Sequence, residues 1–510
     1  MHLNQYVHSV PFRLLTASAN PLHSVSYQNA SCQNASCQSV SRQNVSRQNV
    51  SCRNVVSYQN TIGRKIEVAS KIKVARKSGV GGMSTVGRLI AIASLIAVVL
   101  VDVLVVGAAR SQAADWPQIL GAERDGQADA SQPLPTDWPK SLKPLWTSNL
   151  GSGYAGAAVV DNVVYIPHRI ENAELLDAID LDSGKRRWRA SWKGTYSSSI
   201  DPDSGPRCVP TISGGQAICY GAAGDLVSVR ISDGHINWNR SLRKELDADD
   251  GYFGAGSSPL VVDNVVIVGV GARTGGIVGV DVTTGNTRWK ATNYEASYAA
   301  PIRLNQNGKS GKPLALVVTR FNTVVLDSAD GTILSDVKFG SRGPTVNAAT
   351  PIEIAPNNYL LTASYGIGTL VISINNGKIS EVFRDAQLLS SQYNTPVRVG
   401  NHVIGINGRE DSVPASLRAI APMQKQVQWE EAGLGTAHLI AVGKQILMTS
   451  VTGKVTLLED SSERFKVIAQ SSISGHAFRS LPALVGNTLI VRDSIDGANS
   501  KCIAVRLANE

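Results

Sequence analysis

The sequence lacks the motifs that mark several large enzyme classes. It contains no P-loop, no HExxH and no GxSxG motif, and none of the VAIK-type lysine, HRD or DFG motifs of a protein kinase. P-loop NTPases, HExxH metalloproteases, nucleophile-elbow hydrolases and kinases are therefore excluded for this chain. After residue 115 no useful stretch repeats its apolar residues at the helical period of 3.6, which leaves strands as the main element.

A basic surface is also missing from most of the chain. The net charge is +9 at pH 7, but residues 1–113 hold 12 Lys and Arg against 2 Asp and Glu. These residues carry +10, so the remainder is about −1. The basic isoelectric point therefore belongs to the N-terminal part, and we expect no nucleic-acid partner because the remainder has no basic face to offer.

Three regions follow from composition. Residues 1–82 include the low-complexity run Gln28–Asn60, which repeats every five residues and has too few large apolar residues to offset its ordering entropy. We interpret residues 1–82 as disordered or as a mis-called extension, with translation beginning at Met83. Residues 83–114 form a leader, and residues 115–510 form one folded domain. N-terminal sequencing of the cellular protein would test this start, and peptides from the low-complexity run would reject it.

The leader has two interpretations. Arg88 precedes the apolar run Leu89–Ala109, which only Asp102 interrupts, and small residues near Ser111–Ala114 resemble a signal-peptidase site. The run is also long enough to span a bilayer. A cleaved signal is preferred over an uncleaved anchor because Asp102 would cost a permanent span about 2.5–3.5 kcal/mol. We expect a periplasmic or secreted protein, or one anchored in the membrane by residues 89–109.

A hairpin motif recurs through the folded domain. Its first copy, Ala178–Trp188 (AIDLDSGKRRW), reads as a strand end, a tight Asp-Ser-Gly turn and a second strand that ends in Trp. The turn glycines, spaced 50, 51, 46 and 46 residues apart, are Gly184, Gly234, Gly285, Gly331 and Gly377. A period in this range, with four strands in each unit, is typical of propeller blades.

The predicted fold is all-β: an eight-bladed β-propeller of four-stranded blades. Eight β-branched strand starts, each followed by a polar turn and a second apolar strand, precede the hairpins. The eighth unit stops at Cys502–Leu507 without a Trp strand, whereas Lys143–Leu150 (KPLWTSNL) is a Trp strand without a partner. We expect this N-terminal strand to complete the last blade and close the circle.

The repeat A-x-D-x-x-[ST]-G-x-x-x-W resembles that of pyrroloquinoline-quinone-type propellers. These include quinoprotein alcohol dehydrogenases and the propeller lipoprotein of the outer-membrane β-barrel assembly machine. Asp115–Gly126 (DWPQILGAERDG) also resembles the opening motif of secreted bacterial members. No Cys follows the apolar run of the leader, so the lipid-attachment site of the assembly lipoprotein is absent.

The resemblance implies a cofactor only for the catalytic members. Those use an adjacent Cys-Cys pair, a calcium ion bound by Glu and Asn, an Asp base and a stacking Trp. This chain has no adjacent Cys pair and no carboxylates that we can match. The blade tryptophans are expected to be core residues, and they are Trp188, Trp238, Trp289 and Trp429. We therefore expect no cofactor, with the quinone and calcium kept for the enzymatic alternative.

Cysteines and histidines offer few candidate sites. Cys208 and Cys219 flank one hairpin, where they form either a disulfide or two buried apolar contacts, and Cys502 would be a buried free thiol.

The histidines of the folded domain lack metal-ligand spacing, and we expect surface or loop positions for them: His168, His235, His402, His438 and His476. Gly269–Gly275 imitates a dinucleotide-binding loop, but a strand, not a helix, follows it, so it is interpreted as a turn between two strands.

The best candidate binding site lies in the loops that lead into the blades. In propellers the first strand of a blade is innermost, so these loops surround one mouth of the central channel. The candidate residues are Tyr154, Tyr252, Tyr298, Arg342, Tyr393, His438 and Arg479. Tyr and Arg are typical of recognition surfaces. The alternative is that the tyrosines pack between neighbouring blades.

The sequence therefore predicts a non-catalytic, monomeric scaffold of the cell envelope that binds other envelope proteins or a small ligand. Two alternatives remain: a quinoprotein-like oxidoreductase, and an accessory or sensor propeller related to kinase-linked family members. Calcium- and quinone-dependent dye reduction would identify the oxidoreductase.

Overall fold

Alternating apolar runs and polar turns build 32 short strands in the computed structural model. The structure describes residues 115–509 except 132, 198–199, 201–202, 250, 344, 474–477 and 494–498. The predictions for residues 1–114, namely the low-complexity extension and the leader, lie outside this range. Within it, none of the helices has the length and apolar character needed to cross a membrane.

The strands form eight antiparallel sheets of four strands each, which confirms the predicted eight-bladed propeller. Blades 1 and 2 consist of β2 (Ala158–Val160), β3 (Val163–Ile170), β4 (Ala173–Asp180), β5 (Arg186–Lys193), β6 (Thr211–Ser213), β7 (Gln216–Tyr220), β8 (Asp225–Arg230) and β9 (Ile236–Ser241). A short helix, α1 (Leu242–Glu245), follows β9. Blades 3 and 4 consist of β10 (Leu260–Val262), β11 (Val265–Ala272), β12 (Gly275–Asp281), β13 (Thr287–Ala291), β14 (Ile302–Asn307), β15 (Pro313–Val318), β16 (Asn322–Asp327) and β17 (Ile333–Lys338).

The second half continues the same meander. Blades 5 and 6 consist of β18 (Ile352–Ala355), β19 (Asn358–Ala363), β20 (Gly368–Asn375), β21 (Lys378–Asp385), β22 (Val397–Val399), β23 (His402–Asn407), β24 (Ser416–Ala421) and β25 (Gln426–Glu431), with a 3-10 turn at Pro422–Gln424. Blades 7 and 8 consist of β26 (Ala437–Val442), β27 (Gln445–Ser450), β28 (Lys454–Glu459), β29 (Val467–Ser472), β30 (Ala483–Val485), β31 (Thr488–Asp493), β32 (Lys501–Arg506) and, from the N-terminal side, β1 (Pro144–Asn149).

Strand β1 completes blade 8, as the sequence predicted. It pairs antiparallel with β32, with Trp146 opposite Ala504 and Ser148 opposite Cys502. The strand order of this sheet is β1-β32-β31-β30, so the N-terminal strand is the outermost one. The last blade is therefore made from both ends of the folded domain, which closes the circle of blades.

Two faces of the propeller follow from the meander. The first strand of each blade is innermost, since these strands contact one another across blade boundaries. The hairpins between first and second strands, and between third and fourth strands, lie on one face, here called the turn face. The hairpins between second and third strands and the connections between blades lie on the other, here called the loop face. The predicted turn in Gly269–Gly275 is confirmed, because Ala272 pairs with Gly275 in the β11–β12 hairpin on the loop face.

The repeated Gly and Trp residues join neighbouring blades. The Trp188 indole of blade 1 donates to the Ile231 carbonyl of blade 2 at 2.9 Å. A Cβ added to Gly234 in the same turn would lie 2.6 Å from the Trp188 ring. Equivalent bonds run from Trp146, Trp238, Trp289 and Trp429 to Leu181, Val282, Ser328 and Ser461. Each indole thus packs on the turn of the next blade, and for Trp146, Trp188, Trp238 and Trp289 a glycine of that turn leaves the room.

The chain before β1 enters the central channel. Trp116 forms a β-bridge with Val159 of blade 1, and Gln127 forms one with Ala441 of blade 7. Between them, Ile119 and Leu120 are buried against Ala158, Val209 and Ala300 near the start of three innermost strands. We call residues 115–128 the channel segment. Its contacts reach innermost strands on opposite sides of the circle, so it occupies the channel itself.

Candidate functional site

Five side chains on the loop face occupy the same position in the repeat, four residues before the first strand of their blade. They are Tyr154, Arg207, Tyr298, Tyr393 and Arg479. Sequence reasoning selected four of these and missed Arg207, which carries the same positional signal before β6. Tyr252 precedes β10 by eight residues, Arg342 precedes β18 by ten, and His438 lies inside β26.

Tyr and Arg side chains alternate around part of the channel mouth. The Arg479 guanidinium lies 5.9 Å from the Tyr154 ring centroid, and Arg207 lies 5.6 Å from the same ring. Arg207 is also 5.6 Å from the ring of Tyr196, a buried residue of the loop between blades 1 and 2. Cation–π contacts of this kind couple loops of three blades and fix the orientation of their aromatic rings.

Glu410 joins Arg479 to Tyr393. Arg479 Nε donates to Glu410 Oε1 at 2.9 Å, and the Tyr393 hydroxyl donates to Glu410 Oε2 at 3.0 Å. Burial and the neighbouring carboxylate raise the pKa of Tyr393 far above its usual range. Glu410 lies in the β23–β24 hairpin and not in a loop that leads into a blade, so the blade repeat alone gave no signal for it.

His438 belongs to the wall beneath these loops. It is buried, and its Nε2 lies 2.9 Å from the Arg479 carbonyl. Burial lowers the pKa of His438 to about 4, so the imidazole is neutral at physiological pH. The expected surface or loop position is therefore wrong for His438. It is also wrong for His168 and His402, which are buried on β3 and β23. His168 Nδ1 accepts from the Gly151 N–H at 2.9 Å, and His402 Nε2 lies 2.7 Å from Asp460 Oδ1.

The remaining histidines give no site. His235 is exposed in the β8–β9 turn, as expected, and His476 lies outside the described residues. Among the described residues, no group of three or more His, Cys, Asp and Glu side chains is placed to hold a metal ion.

A cavity of about 1240 Å³ opens on the loop face between blades 2, 3 and 4. Tyr252 and Tyr298 lie in its wall, together with Arg320 from the β15–β16 hairpin. The Arg320 guanidinium lies 5.4 Å from the Tyr252 ring centroid and forms an ion pair with Glu295. We call this space the mouth cavity.

The aromatic residues of the mouth cavity support one another. The Phe253 N–H donates to the Tyr298 hydroxyl at 2.9 Å, and the two rings meet edge to face at 5.8 Å. Tyr298 lies directly over Gly256, where an added Cβ would be 2.3 Å from the ring. The glycine is therefore required for this close approach. Burial raises the pKa of Tyr298, so its hydroxyl stays protonated and available to bond.

The mouth cavity has a mixed polar lining without a dominant charge. Its remaining polar side chains come from the loops after β9, β13 and β17 and from the β11–β12 hairpin: Arg243, Asp247, Asp249, Arg273, Thr274, Asn293, Ser297, Thr345 and Asn347. Arg342 is exposed beside this region and does not line the cavity. The predicted binding residues thus divide into two groups, one around Glu410 and one in the mouth cavity, with Arg342 in neither.

The two cysteines of blade 2 are free thiols, not the disulfide that was one of the two alternatives. Cys208 packs toward blade 3, where its Sγ lies 3.8 Å from the Ala255 carbonyl, whereas Cys219 belongs to the apolar cluster shared with blade 1. The two side chains pack on opposite faces of the blade 2 sheet, which explains why they do not form a disulfide. Cys502 is a buried free thiol, as expected.

The residues at the channel do not match a quinone site. The channel segment occupies the space between the innermost strands, and the blade tryptophans are turned toward the neighbouring blades, where their indoles donate to carbonyls. None of these side chains is placed as the floor of a planar cofactor.

Comparison with known proteins agrees with this architecture. The family model of the outer membrane protein assembly factor BamB matches residues 139–318. No curated protein matches the sequence. Among solved structures, BamB from Moraxella catarrhalis is similar at 16% identity and a TM-score of 0.52, with 72% of this chain and 99% of that chain covered.

Two dehydrogenases of known structure are similar to this chain to the same degree. A europium-containing methanol dehydrogenase is 10% identical with a TM-score of 0.54, with 77% of this chain and 98% of that chain covered. A quinohemoprotein alcohol dehydrogenase, ADHIIG from Pseudomonas putida HK5, is 11% identical with a TM-score of 0.52, with 78% and 80% covered. The chain therefore shares the β-propeller fold of these proteins, and the fold alone does not separate a scaffold from an enzyme.

Proposed function

We propose that this propeller is a non-catalytic scaffold of the cell envelope that binds a segment of a partner protein in the mouth cavity. The observation that carries the proposal is the cavity itself, which combines Tyr252, Tyr298 and Arg320 on loops held by a rigid circle of blades. Recognition surfaces commonly place such residues on loops that a stable scaffold positions.

The size and lining of the cavity favour a protein segment. Its volume of about 1240 Å³ exceeds the roughly 300–1,000 Å³ of typical small-molecule pockets. Tyr and Arg are enriched at protein interfaces, and antibody loops combine Tyr with Ser, Gly and Asn because these residues give aromatic area and adaptable hydrogen bonds at low entropy cost. The opposing charges of Arg320 and Glu295 leave no strong single-sign field that would select a polyanion.

The envelope location rests on two observations. The chain matches a family model named for an outer membrane protein assembly factor over residues 139–318. The apolar run of residues 89–109 has the features of an export signal or an anchor. Together they support a periplasmic or secreted propeller whose partners are other envelope proteins.

Two observations favour a scaffold over a quinone-dependent dehydrogenase. The channel segment fills the middle of the circle, and the tryptophans are engaged between blades. A direct test is dye reduction with added quinone, calcium and an alcohol. Activity that requires the quinone would overturn the proposal in favour of the oxidoreductase.

The binding test uses Tyr252→Ala in the mature protein, with Tyr365→Ala as a matched control. Tyr365 lies on the same loop face, in the β19–β20 hairpin outside the mouth cavity. Immobilised protein is incubated with an envelope extract, and the captured proteins are identified by mass spectrometry. We expect Tyr252→Ala to reduce capture about tenfold or more, as hot-spot truncations do, and Tyr365→Ala to leave it unchanged.

Melting temperatures decide between binding and packing roles. The double variant Tyr252→Ala with Tyr298→Ala is measured alongside the single variants. A large fall in melting temperature with capture unchanged would show that the tyrosines only pack between blades, and the proposed site would be wrong. A small molecule that co-purifies in place of any protein would also overturn the protein-binding proposal.

A further inference from the structure

Arg124, at the tip of the channel segment, is a fully buried cation. Its Nη1 donates to the Pro301 carbonyl at 2.8 Å and to the Ser258 carbonyl at 3.3 Å. Its Nη2 donates to Thr211 Oγ1 at 3.1 Å and to the Pro259 carbonyl. Its Nε donates to Gln118 Oε1 at 2.8 Å. All of these acceptors are neutral carbonyl or hydroxyl oxygens. Burying a cation without a carboxylate is costly, and burial lowers the pKa of Arg124 to about 9.

The acceptors of Arg124 lie where the loops of the mouth cavity end. Ser258 and Pro259 end the loop that carries Tyr252 and lead into β10. Pro301 follows Tyr298 by three residues and leads into β14. The guanidinium therefore holds the innermost ends of both tyrosine-bearing loops from below.

The side chain of Arg124 forms its hydrogen bonds on one side of the circle of blades only. The bonds of Arg124 reach blades 2, 3 and 4, the blades that surround the mouth cavity. On the other side, the channel segment is fixed through backbone bonds of Gly126 and Ala128 to Ala441 in blade 7. A rigid planar guanidinium can hold several carbonyls at a fixed spacing, which a lysine cannot.

We propose that Arg124 is a positioning residue of the mouth cavity, which sets the spacing between the loops of Tyr252 and Tyr298 from inside the channel. The part of this proposal that concerns partner binding rests on the proposed function of the cavity. The part that concerns the spacing of the two loops is independent of that function. The channel segment thus belongs to the recognition site although it contacts the site only from beneath.

The chain offers a closely matched control. Arg492 is also fully buried and donates to three carbonyls, those of Ala155, Pro167 and Gly151, but at the junction of blades 8 and 1. Arg124→Lys and Arg492→Lys each keep the charge and remove the planar donor set. If either cation merely stabilised the propeller, both variants would loosen it in the same general way.

Hydrogen–deuterium exchange of the mature protein separates these outcomes without a ligand. For Arg124→Lys we expect exchange about tenfold faster in residues 251–259 and 294–301, as loss of charge-assisted hydrogen bonds implies. Residues 386–396 and 432–437, on the opposite side of the loop face, should be unchanged. Arg492→Lys should instead accelerate exchange near residues 151–155 and leave residues 251–259 and 294–301 unchanged.

Equal acceleration in all loops of Arg124→Lys, or none near the mouth cavity, would overturn the proposal. If Arg124→Lys does not fold, Thr211→Val keeps the arginine but removes its Thr211 Oγ1 acceptor and the hydrogen bond from Thr211 to the Pro259 carbonyl, and a local increase in the same loops is expected. Partner capture by Arg124→Lys should fall in parallel with its local exchange. If Tyr252→Ala leaves capture intact, the proposed function fails, whereas the exchange pattern still decides the role of Arg124.

Discussion

Glu174 is a carboxyl group without solvent exposure between blades 1 and 2. It accepts hydrogen bonds from the Ala222 N–H at 2.9 Å and from the Trp192 indole at 3.2 Å. Burial raises the pKa of Glu174 to about 7, from an ordinary value of 4.5, because the ionised form is poorly solvated there. The folded protein thus keeps this proton at a pH where the unfolded chain has lost it.

We predict that Glu174→Gln gains stability relative to the wild type as pH rises. Below pH 4.5 the carboxyl is protonated in both states, so its burial carries no ionisation penalty. Between pH 4.5 and 7 the unfolded state ionises first, and above pH 7 the folded wild type bears the full penalty of about 3 kcal/mol. Urea unfolding at pH 4.5 and pH 8 should show the variant's relative free energy of unfolding rise by about this amount. A difference independent of pH would contradict the assignment.

The sequence located some side chains of the site but not their partners. Tyr154, Tyr298 and Tyr393 share a place in the repeat, so the period predicts that they lie on one face. Glu410 and Arg320 reach the same face from hairpins between the second and third strands of a blade, and only the three-dimensional structure brings them to the tyrosines. Whether the selected residues bind a partner stays a prediction.

The hairpin between the third and fourth strands is the element that connects one blade to the next. In blade 2, Gly234 has a φ of +79° and an added Cβ would lie 2.6 Å from the Trp188 ring of blade 1. Gly215 in the same blade has a φ of +77°, but nothing lies within 4 Å of an added Cβ. The two glycines therefore share a backbone conformation and differ in the presence of a neighbour.

We predict that Gly234→Ala costs more stability than Gly215→Ala. Both substitutions place a side chain at positive φ, which costs about 1–2 kcal/mol. Only Gly234→Ala also displaces an indole, for which overpacking adds about 1–3 kcal/mol. The free energies of unfolding in guanidinium chloride give the comparison. Equal losses would show that the tryptophan does not hold the turn.

In repeats where the motif is incomplete, an apolar side chain still packs against the turn glycine of the next blade, but it is not a tryptophan. At Gly377 of blade 5 an added Cβ would lie 2.4 Å from Leu334 of blade 4, which takes the place of a tryptophan. The sequence motif weakens there because several apolar side chains can cover a turn glycine, whereas the glycine itself has fewer substitutes. The hairpins could thus be predicted even where the tryptophan is absent.

Two separate structural features close the propeller, one at its circumference and one inside its channel. Strand β1 pairs with β32 at the circumference, and the channel segment bonds innermost strands from within. The first could be predicted because an unpaired Trp strand and an incomplete last unit lie at opposite ends of the repeats. The second could not, since Asp115–Gly126 has no period and most of its long-range hydrogen-bond partners are backbone groups, which leave no signal in the sequence.

We predict that Ser148→Cys forms a disulfide with the native Cys502. The two residues are directly opposite in the β1–β32 pair, where Cβ atoms lie close enough for a bridge. The bond would join the two ends of the circle and raise stability by about 2–4 kcal/mol. Mild oxidation followed by mass spectrometry and thermal unfolding checks this. Asn149→Cys, which faces Lys501, serves as the control and should remain a free thiol; a bridge in neither variant would contradict the register.

Both ends of the described domain leave from the turn face. Asp115 accepts a hydrogen bond from the Asp161 N–H in the first hairpin of blade 1, and the Leu507 N–H donates to the Asn487 carbonyl in the first hairpin of blade 8. A tether attached at either end of this domain would therefore lie on the turn face, opposite the loop face that carries Tyr252 and Tyr298. A large binding partner could approach the open side head-on without steric conflict with that tether.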